Sequence, residues 1–173
     1  HEQFASQLMA ALEAIASASD LDQLRERLLR AHNVYEGTEL ALTVTRVLQR
    51  GDALREFFAR LAAVEKHPLR QPDDVQQLHQ QLDSIGDQFG EAVGVAQKEY
   101  LQAVRWALDA RVAERAAEAH DWLDAKEREF EHGANPFHLL QATESPPAFL
   151  SEVDAQRLMT LKARVQAQLE QDV

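Results

Sequence analysis

The histidines and carboxylates of this sequence are the residues whose spacing could support chemistry, and a carboxylate-bridged metal is the first chemistry to consider. Glu129 and His132 have the Glu-x-x-His spacing that di-iron carboxylate bundles use. Such a site needs a second copy of the motif and two further inward-facing glutamates, and the remaining histidines provide no second copy. Because the pair lies in the charged run 126–131 just before Gly133, the sequence favours a solvated helix end. No metal site is predicted.

His120 is the second candidate, because Glu118 and Asp121 lie close to it in the sequence. Adjacent helical residues point in different directions, so sequence neighbours do not make an acid-base pair, and we interpret His120 as a surface residue. The sequence contains no nucleophile elbow, phosphate-binding loop, dinucleotide fingerprint or His-Glu-x-x-His motif. Zero cysteines exclude thiol catalysis and Cys-ligated zinc. We therefore predict no catalytic residue, no enzyme activity in this chain alone and no cofactor.

Two tryptophans are candidates for a partner-facing surface. Trp106 and Trp122 are 16 residues apart, so on one helix they project within about 120° of each other. Tryptophan is enriched where protein interfaces concentrate their binding energy. The alternative is a half-buried position at the edge of the core, since Trp122 lies one residue from the apolar stripe at Leu123. The segment 137–150, with two phenylalanines and two prolines, favours a clasp over the bundle and leaves a docking site as the alternative.

Three glycines spaced four residues apart are the most unusual local feature: Gly86, Gly90 and Gly94. On a helix they share one face, where a neighbouring backbone could approach closely. They could equally break the helix or act as a functional hinge, since each interior glycine costs about 1 kcal/mol. Without a break, residues 73–132 would form one helix of about 60 residues. We predict two helices in this stretch.

Apolar stripes with the helical period run along most of the chain and predict an all-α fold. We expect a bundle of short N-terminal helices packed with long middle helices, which could form a coiled-coil-like hairpin, and a C-terminal helix. Capping and stop signals place the helix ends. The predicted helices follow a stripe over 4–15, run from Ser19-Asp20 to about Asn33, from Thr38 to Gly51 and from Asp52 to Pro68, and start again at Asn135-Pro136 and Ser151.

The 173 residues fit a single helical domain with three segments. These are a short-helix bundle (1–70), a long acidic helical segment (71–133), and a short helix, proline loop and terminal helix (134–173). The middle segment carries 14 acidic and 6 basic residues, which disfavours nucleic-acid binding through it. Seven arginines between 25 and 60 form a candidate basic face that includes Arg46 and Arg50. We favour an internal use, in which they dock against the acidic segment.

Targeting signals are not visible in the sequence. No stretch approaches the roughly 18 to 20 apolar residues that span a bilayer, so we expect no membrane insertion by this chain. The expected location is cytoplasmic, with periplasmic as the alternative. The first residue is histidine rather than methionine, which indicates a fragment of a larger protein. Fourteen arginines against four lysines, with many alanines, suggest a bacterial source.

The order of the segments resembles helical accessory or coiled segments of large multidomain bacterial machines, which is a likeness of architecture and not of motif. The leading hypothesis is a non-catalytic helical interaction or scaffold module that binds a protein partner or associates with itself. One alternative is a helical-bundle ligand-sensing domain of a bacterial membrane receptor. Another is an accessory helical domain of an ATPase or nucleic-acid-processing complex.

Overall fold

A computed structural model describes residues 2–34 and 36–172 of the chain. The described residues form seven α-helices and no strand, which confirms the predicted all-α fold. The helices are α1 (Glu2–Glu13), α2 (Ala18–Val34), α3 (Glu39–Lys66), α4 (Pro72–Phe89), α5 (Val95–Glu131), α6 (Pro136–Thr143) and α7 (Glu152–Gln171).

The helices are distributed over two compact units. Unit 1 consists of His1–Pro68 and Gln76–Leu108, and unit 2 consists of Leu69–Val75 and Asp109–Val173. Helix α5 contributes its first part to unit 1 and the rest to unit 2. Each unit has its own set of buried apolar side chains.

Helix α3 runs through Gly51, where the sequence predicted a break between two helices. The prediction was wrong because the buried stripe continues in register on both sides, through Val47 and Leu54. Burial of such side chains contributes more than the roughly 1 kcal/mol that one interior glycine costs. A Cβ atom on Gly51 would lie 3.7 Å from Leu21 Cδ1, which is ordinary van der Waals contact, so the packing of α2 against α3 does not require the glycine.

Polar caps set several helix starts. The Asn135 side chain accepts a hydrogen bond from the backbone N–H of Phe137, and Ser151 Oγ accepts one from the N–H of Asp154, both as the sequence predicted. At α2 the predicted cap was wrong: Ser17 Oγ, and not Ser19, accepts the N–H of Asp20 at 3.2 Å. A serine three residues before the bonded N–H has the geometry that capping requires.

The interior of unit 1 is apolar and aromatic. The Phe57 ring meets the rings of Phe58 and Phe89 edge-on, at centroid distances of 5.5 and 5.8 Å. Phe58 in turn contacts Tyr100 at 5.7 Å, so α3, α4 and α5 share one aromatic cluster. The fully buried leucines of unit 1 are Leu12, Leu21, Leu54, Leu61, Leu78, Leu82 and Leu108.

Gln97 is the one buried polar residue of the described part of unit 1. Its Nε2 lies 3.0 Å from the carbonyl oxygen of Leu12 and 2.5 Å from that of Ile15, which follows the end of α1. Its Oε1 accepts the backbone N–H of Gly94 at 2.6 Å. One amide therefore satisfies both the end of α1 and the connection between α4 and α5, since carbonyls at a helix end have no partner within the helix.

The interior of unit 2 is smaller. Its buried apolar residues around α7 are Leu123, Leu139, Leu158, Leu161 and Val165. Partly buried side chains pack around them, among them Trp122 and Phe130 from α5. Helix α6 packs on α7 and supplies Leu139 and Leu140.

Candidate functional site

Trp122 lies at the edge of the unit 2 core. Helix α5 buries Ala119 and Leu123 completely. Trp122 is the residue before Leu123, so its indole lies beside the buried stripe and not in the middle of it. The ring packs against the core cluster and keeps part of its surface exposed. One side of the indole is therefore held by the core, while the other is free to contact a ligand.

A cleft of about 460 Å³ opens beside this ring, and we call it the Trp122 cleft. Its volume lies in the range of roughly 300–1,000 Å³ that is typical of small-molecule sites. Its lining includes the side chains of Leu69, Arg70, Arg115, Glu118, Trp122, Pro147 and Phe149. All of them belong to unit 2.

Short-range geometry holds the edges of the Trp122 cleft in place. Leu69 is buried, and the backbone N–H of Arg70 donates to Asp74 Oδ2 at 2.8 Å, which fixes Arg70 just before α4 begins. On the other side, Pro146 and Pro147 each fix one backbone φ angle, which stiffens the segment that carries Phe149.

The polar groups of the Trp122 cleft are mainly donors. The Arg70 side chain is exposed and has no ion pair among residues 2–34 and 36–172. Arg115 is 52% exposed and reaches only Glu118, at 3.9 Å, which is the limit of an ion pair. The indole N–H of Trp122 is also without a protein acceptor in the described part of the chain. The lining therefore includes two guanidinium groups and one indole against a single carboxylate.

A second cleft, of about 540 Å³, lies along α7 and contains Glu127, Glu152, Arg157 and Arg164. Its charges balance, two acidic against two basic. The Arg157 guanidinium is already bonded to neighbouring carboxylates, and Arg164 stacks on the Phe130 ring at 4.8 Å. This cleft is therefore less selective in charge than the Trp122 cleft.

An ionic network joins α5 to α7. Arg157 donates to Asp124 (2.7 Å), Asp154 (3.0 Å) and both carboxylate oxygens of Glu127 (3.1 and 2.8 Å). His120 Nδ1 lies 2.8 Å from Asp154 Oδ2, and its Nε2 lies 3.4 Å from Asp124 Oδ2. Asp154 is only 5% exposed, so it is the member of the network whose charge would be most costly to leave without partners.

The network shifts the titration of its members. The hydrogen bond with Asp154 raises the pKa of His120 above its ordinary 6.5, and the charges of Asp124 and Asp154 add to this effect. The hydrogen bond with His120 lowers the pKa of Asp154, and the hydrogen bond with Arg157 lowers that of Asp124. The Arg157 pKa rises through its hydrogen bonds to Glu127 and then Asp124. The network thus favours a charged imidazolium among ionised carboxylates.

Sequence reasoning missed this network, since it considered His120 only with Glu118 and Asp121. The spacing of four residues between His120 and Asp124 places them on one helix face and was an available signal. The Asp154 carboxylate, three residues after the Ser151 cap, bonds to His120 and Arg157. No sequence signal connects α5 with α7, because their partners are 30 to 34 residues apart.

Comparison with known proteins gives no relative for this chain. It matches no protein family, no curated protein and no solved structure.

The residues of the predicted glycine ladder lie at the boundary between α4 and α5. Gly86 is inside α4, where an added Cβ atom would lie 3.6 Å from Leu101 Cδ2. Gly90 directly follows α4, and its Cβ would lie 2.9 Å from the carbonyl oxygen of Gly86. Gly94 directly precedes α5, with Glu13 Cβ at 3.0 Å. The stretch is two helices, as predicted, and its connection passes close to the end of α1.

The other predicted site residues are dispersed. Trp106, in unit 1, is 67% exposed. Arg46 is exposed, while Arg50 Nε donates to the carbonyl oxygen of Ala92 at 3.4 Å. Neighbouring arginines of the candidate basic face pair with acidic residues within unit 1: Arg25 with Asp52, Arg30 with Glu26, Arg55 with Asp22 and Arg60 with Glu56.

Glu129 and His132 do not meet at a common site. Lys126 pairs with Glu129 at 3.2 Å, and His132 Nδ1 lies 2.7 Å from the backbone oxygen of Arg128. In the part of the chain that the structure describes, no group of three or more histidine, aspartate or glutamate side chains could hold a metal ion. None of the helices formed by residues 2–34 and 36–172 has the length and apolar character of a bilayer span.

Proposed function

We propose that this chain is a non-catalytic helical interaction module and that unit 2 binds a protein partner in the Trp122 cleft. The observation that carries the proposal is the partly exposed Trp122 ring beside Phe149 and Pro147, in a concave site. Of its two arginines, Arg70 has no ion pair among the described residues, and Arg115 has only a 3.9 Å contact with Glu118. Tryptophan and arginine are the side chains that contribute most per residue to protein interfaces.

The stiffness of the cleft also supports the proposal. Trp122 is held by the core on one side, and the Pro146-Pro147 pair restricts the opposite wall. A preformed site loses little conformational entropy when it binds, which favours affinity. Because an extended peptide strand or a loop can place one side chain in a pocket of this volume, we expect a partner segment and not a large flat surface.

The proposal is tested by selecting peptides from a random-sequence display library on the full chain and measuring their affinities by fluorescence polarisation. Ala148 lines the cleft and is exposed, so Ala148→Trp should fill the cleft without disturbing the core. We expect the selected peptides to lose at least about tenfold in affinity for this variant. The matched control, Ala167→Trp, is on the exposed side of α7 and should bind like the original chain.

Two outcomes would contradict the proposal. The first is a selection that enriches no peptide for the original chain. The second is a set of peptides that binds Ala148→Trp as tightly as the original chain, since these would use another surface. Sedimentation velocity separates self-association from partner binding: a dimer that Ala148→Trp dissociates would place a second copy of the chain in the cleft and would contradict a distinct partner.

A further inference from the structure

We infer that the partner segment of the Trp122 cleft is acidic, with an apolar side chain between its carboxylates. The inference rests on the proposed function and adds the chemistry of the ligand. It starts from the imbalance described above: Arg70, Arg115 and the indole N–H of Trp122 are donors, while Glu118 is the only acceptor side chain of the cleft.

Arg70 and Arg115 make fewer or longer ion pairs within the chain than many of its other arginines. Arg157 donates to three carboxylates, and Arg105 pairs with Asp83 at 2.7 Å. Arg70 has no such ion pair among the described residues, and Arg115 has only the long contact with Glu118. A guanidinium group pairs best with a carboxylate, in a planar two-bond geometry. Arg70 and Arg115 are therefore the groups of the cleft with unused capacity for anions.

The charge of the surrounding chain makes this capacity selective. The chain has a net charge of −11, and residues 71–133 carry most of the excess. An acidic segment is repelled from most of such a surface, so a cleft with two arginines against one glutamate is where it can approach. A basic segment would meet Arg70 and Arg115 at the same place and would be rejected.

The apolar wall defines the second half of the ligand. Trp122, Pro147 and Phe149 offer flat apolar surface next to the arginines. A carboxylate alone would leave this surface exposed to water, whereas a segment with an aromatic or large aliphatic side chain would cover it. The chemistry that fits both halves is therefore an apolar side chain flanked by aspartate or glutamate.

The inference is tested with three pools of synthetic peptides that share the same apolar residues and differ only in the flanking residues. The flanks are aspartate and glutamate in the first pool, asparagine and glutamine in the second, and lysine and arginine in the third. We expect the acidic pool to bind at least about tenfold more tightly than the neutral pool, and salt to weaken this preference. The basic pool should bind weakest.

Three variants locate the preference. Arg70→Gln and Arg115→Gln should each lower the affinity for the acidic pool and leave that for the neutral pool nearly unchanged. The double variant Arg70→Glu with Arg115→Glu should favour the basic pool. Arg164→Gln, an exposed arginine of the same unit outside this cleft, is the matched control and should leave the preference intact.

The outcomes separate this inference from the proposed function. Equal binding of the acidic and neutral pools, with loss of both in Ala148→Trp, would overturn the acidic chemistry and leave the interaction module standing. If no pool binds and the library selection also fails, the proposed function fails. If adenosine monophosphate displaces the acidic peptides at an equal or lower concentration, the site would be one for small anions, and the inference of an acidic protein segment would be overturned.

Discussion

The two units of this chain are stabilised by different kinds of interaction, although helix α5 contributes residues to both. Unit 1 has a wide apolar interior with four aromatic rings in contact and one buried amide, Gln97. Unit 2 has fewer buried leucines and joins α5 to α7 through a network of charges around Arg157. Burial of apolar surface tolerates changes of pH and salt, whereas an ionic network does not. The two units should therefore respond differently to solvent conditions.

The largest expected effect is on unit 1, from Gln97→Leu. The leucine would remove the hydrogen bonds to the carbonyls of Leu12 and Ile15 and to the N–H of Gly94. The Leu12 carbonyl would keep the N–H of Ile15 at 3.3 Å, whereas the Ile15 carbonyl and the Gly94 N–H would lose their partner. We expect a loss of about 3 kcal/mol in the free energy of unfolding, measured by chemical denaturation. The control, Gln102→Leu, makes the same change at an exposed position of α5 and should stay within about 0.5 kcal/mol. Equal effects of the two variants would show that the Gln97 contacts contribute little.

The second largest effect is expected for Arg157→Met, which removes the ion pairs that join α5 to α7 in unit 2. The methionine keeps an unbranched stem like that of arginine, but Asp124, Glu127 and Asp154 lose their shared cation. We expect the thermal midpoint of unit 2 to fall by several degrees and hydrogen exchange in α7 to accelerate, while amides of α3 keep their protection. An equal loss of hydrogen-exchange protection in α3 and α7 would contradict the prediction that the ionic network stabilises unit 2 and not unit 1.

The third prediction concerns pH. The pKa of His120 is raised in the folded chain, so its contribution to stability is complete below the unfolded value of 6.5 and is lost as the pH rises through the folded value. Asp124 and Asp154 have lowered pKa values, so their contribution is lost only as the pH falls below 3.8 and through the folded values. We expect the stability of unit 2 to decrease between mildly acidic and mildly alkaline pH. His120→Gln should flatten this decrease, and an unchanged slope would exclude His120 as its source.

The smallest effects come from two glycines of unit 1 that should respond in opposite directions. Gly51 lies inside α3, and a Cβ atom there has ordinary contact with Leu21, so Gly51→Ala should stabilise the chain by about 0.5–1 kcal/mol. At Gly94 a Cβ atom would lie 3.1 Å from Glu13 Cα, so Gly94→Ala should destabilise it. Thermal melts of the two variants test the pair, and a shift of the same sign in both would contradict the packing described here.

Much of the fold could be predicted because helix periodicity and capping are local properties of a sequence. The caps at Asn135 and Ser151 depend on residues within three positions of each other. The predicted helix end at Gly51 was wrong because glycine was interpreted as a helix terminator, although the apolar stripe continues on both sides of it. Gln97 could not be predicted, since its acceptors lie 82 to 85 residues away.

The candidate site was only partly predictable for the same reason. Trp122 was a candidate from its residue type and its place beside the stripe at Leu123. Arg70 and Phe149 gained their importance only when the chain brought them to the same cleft. Arg46 and Arg50 had an equally suggestive spacing, but Arg46 is exposed and Arg50 donates to the carbonyl oxygen of Ala92. Residue type can nominate a binding residue, but the tertiary structure decides which neighbours it has.

The large sequence separation between Gln97 and its hydrogen-bond acceptors affects how unit 1 folds. Its side chain joins α1 to the connection before α5 only after 82 to 85 intervening residues have been arranged. Closing so large a loop is slow compared with forming a helix, so we expect the Gln97 hydrogen bonds to form in the final stage of folding. During synthesis, α1 can pack on α2 and α3 as soon as these helices exist, but the carbonyls at its end gain their Gln97 hydrogen bonds only after residue 97 has left the ribosome. A pause in translation before that point would therefore leave α1 in place with its C-terminal end less firmly held.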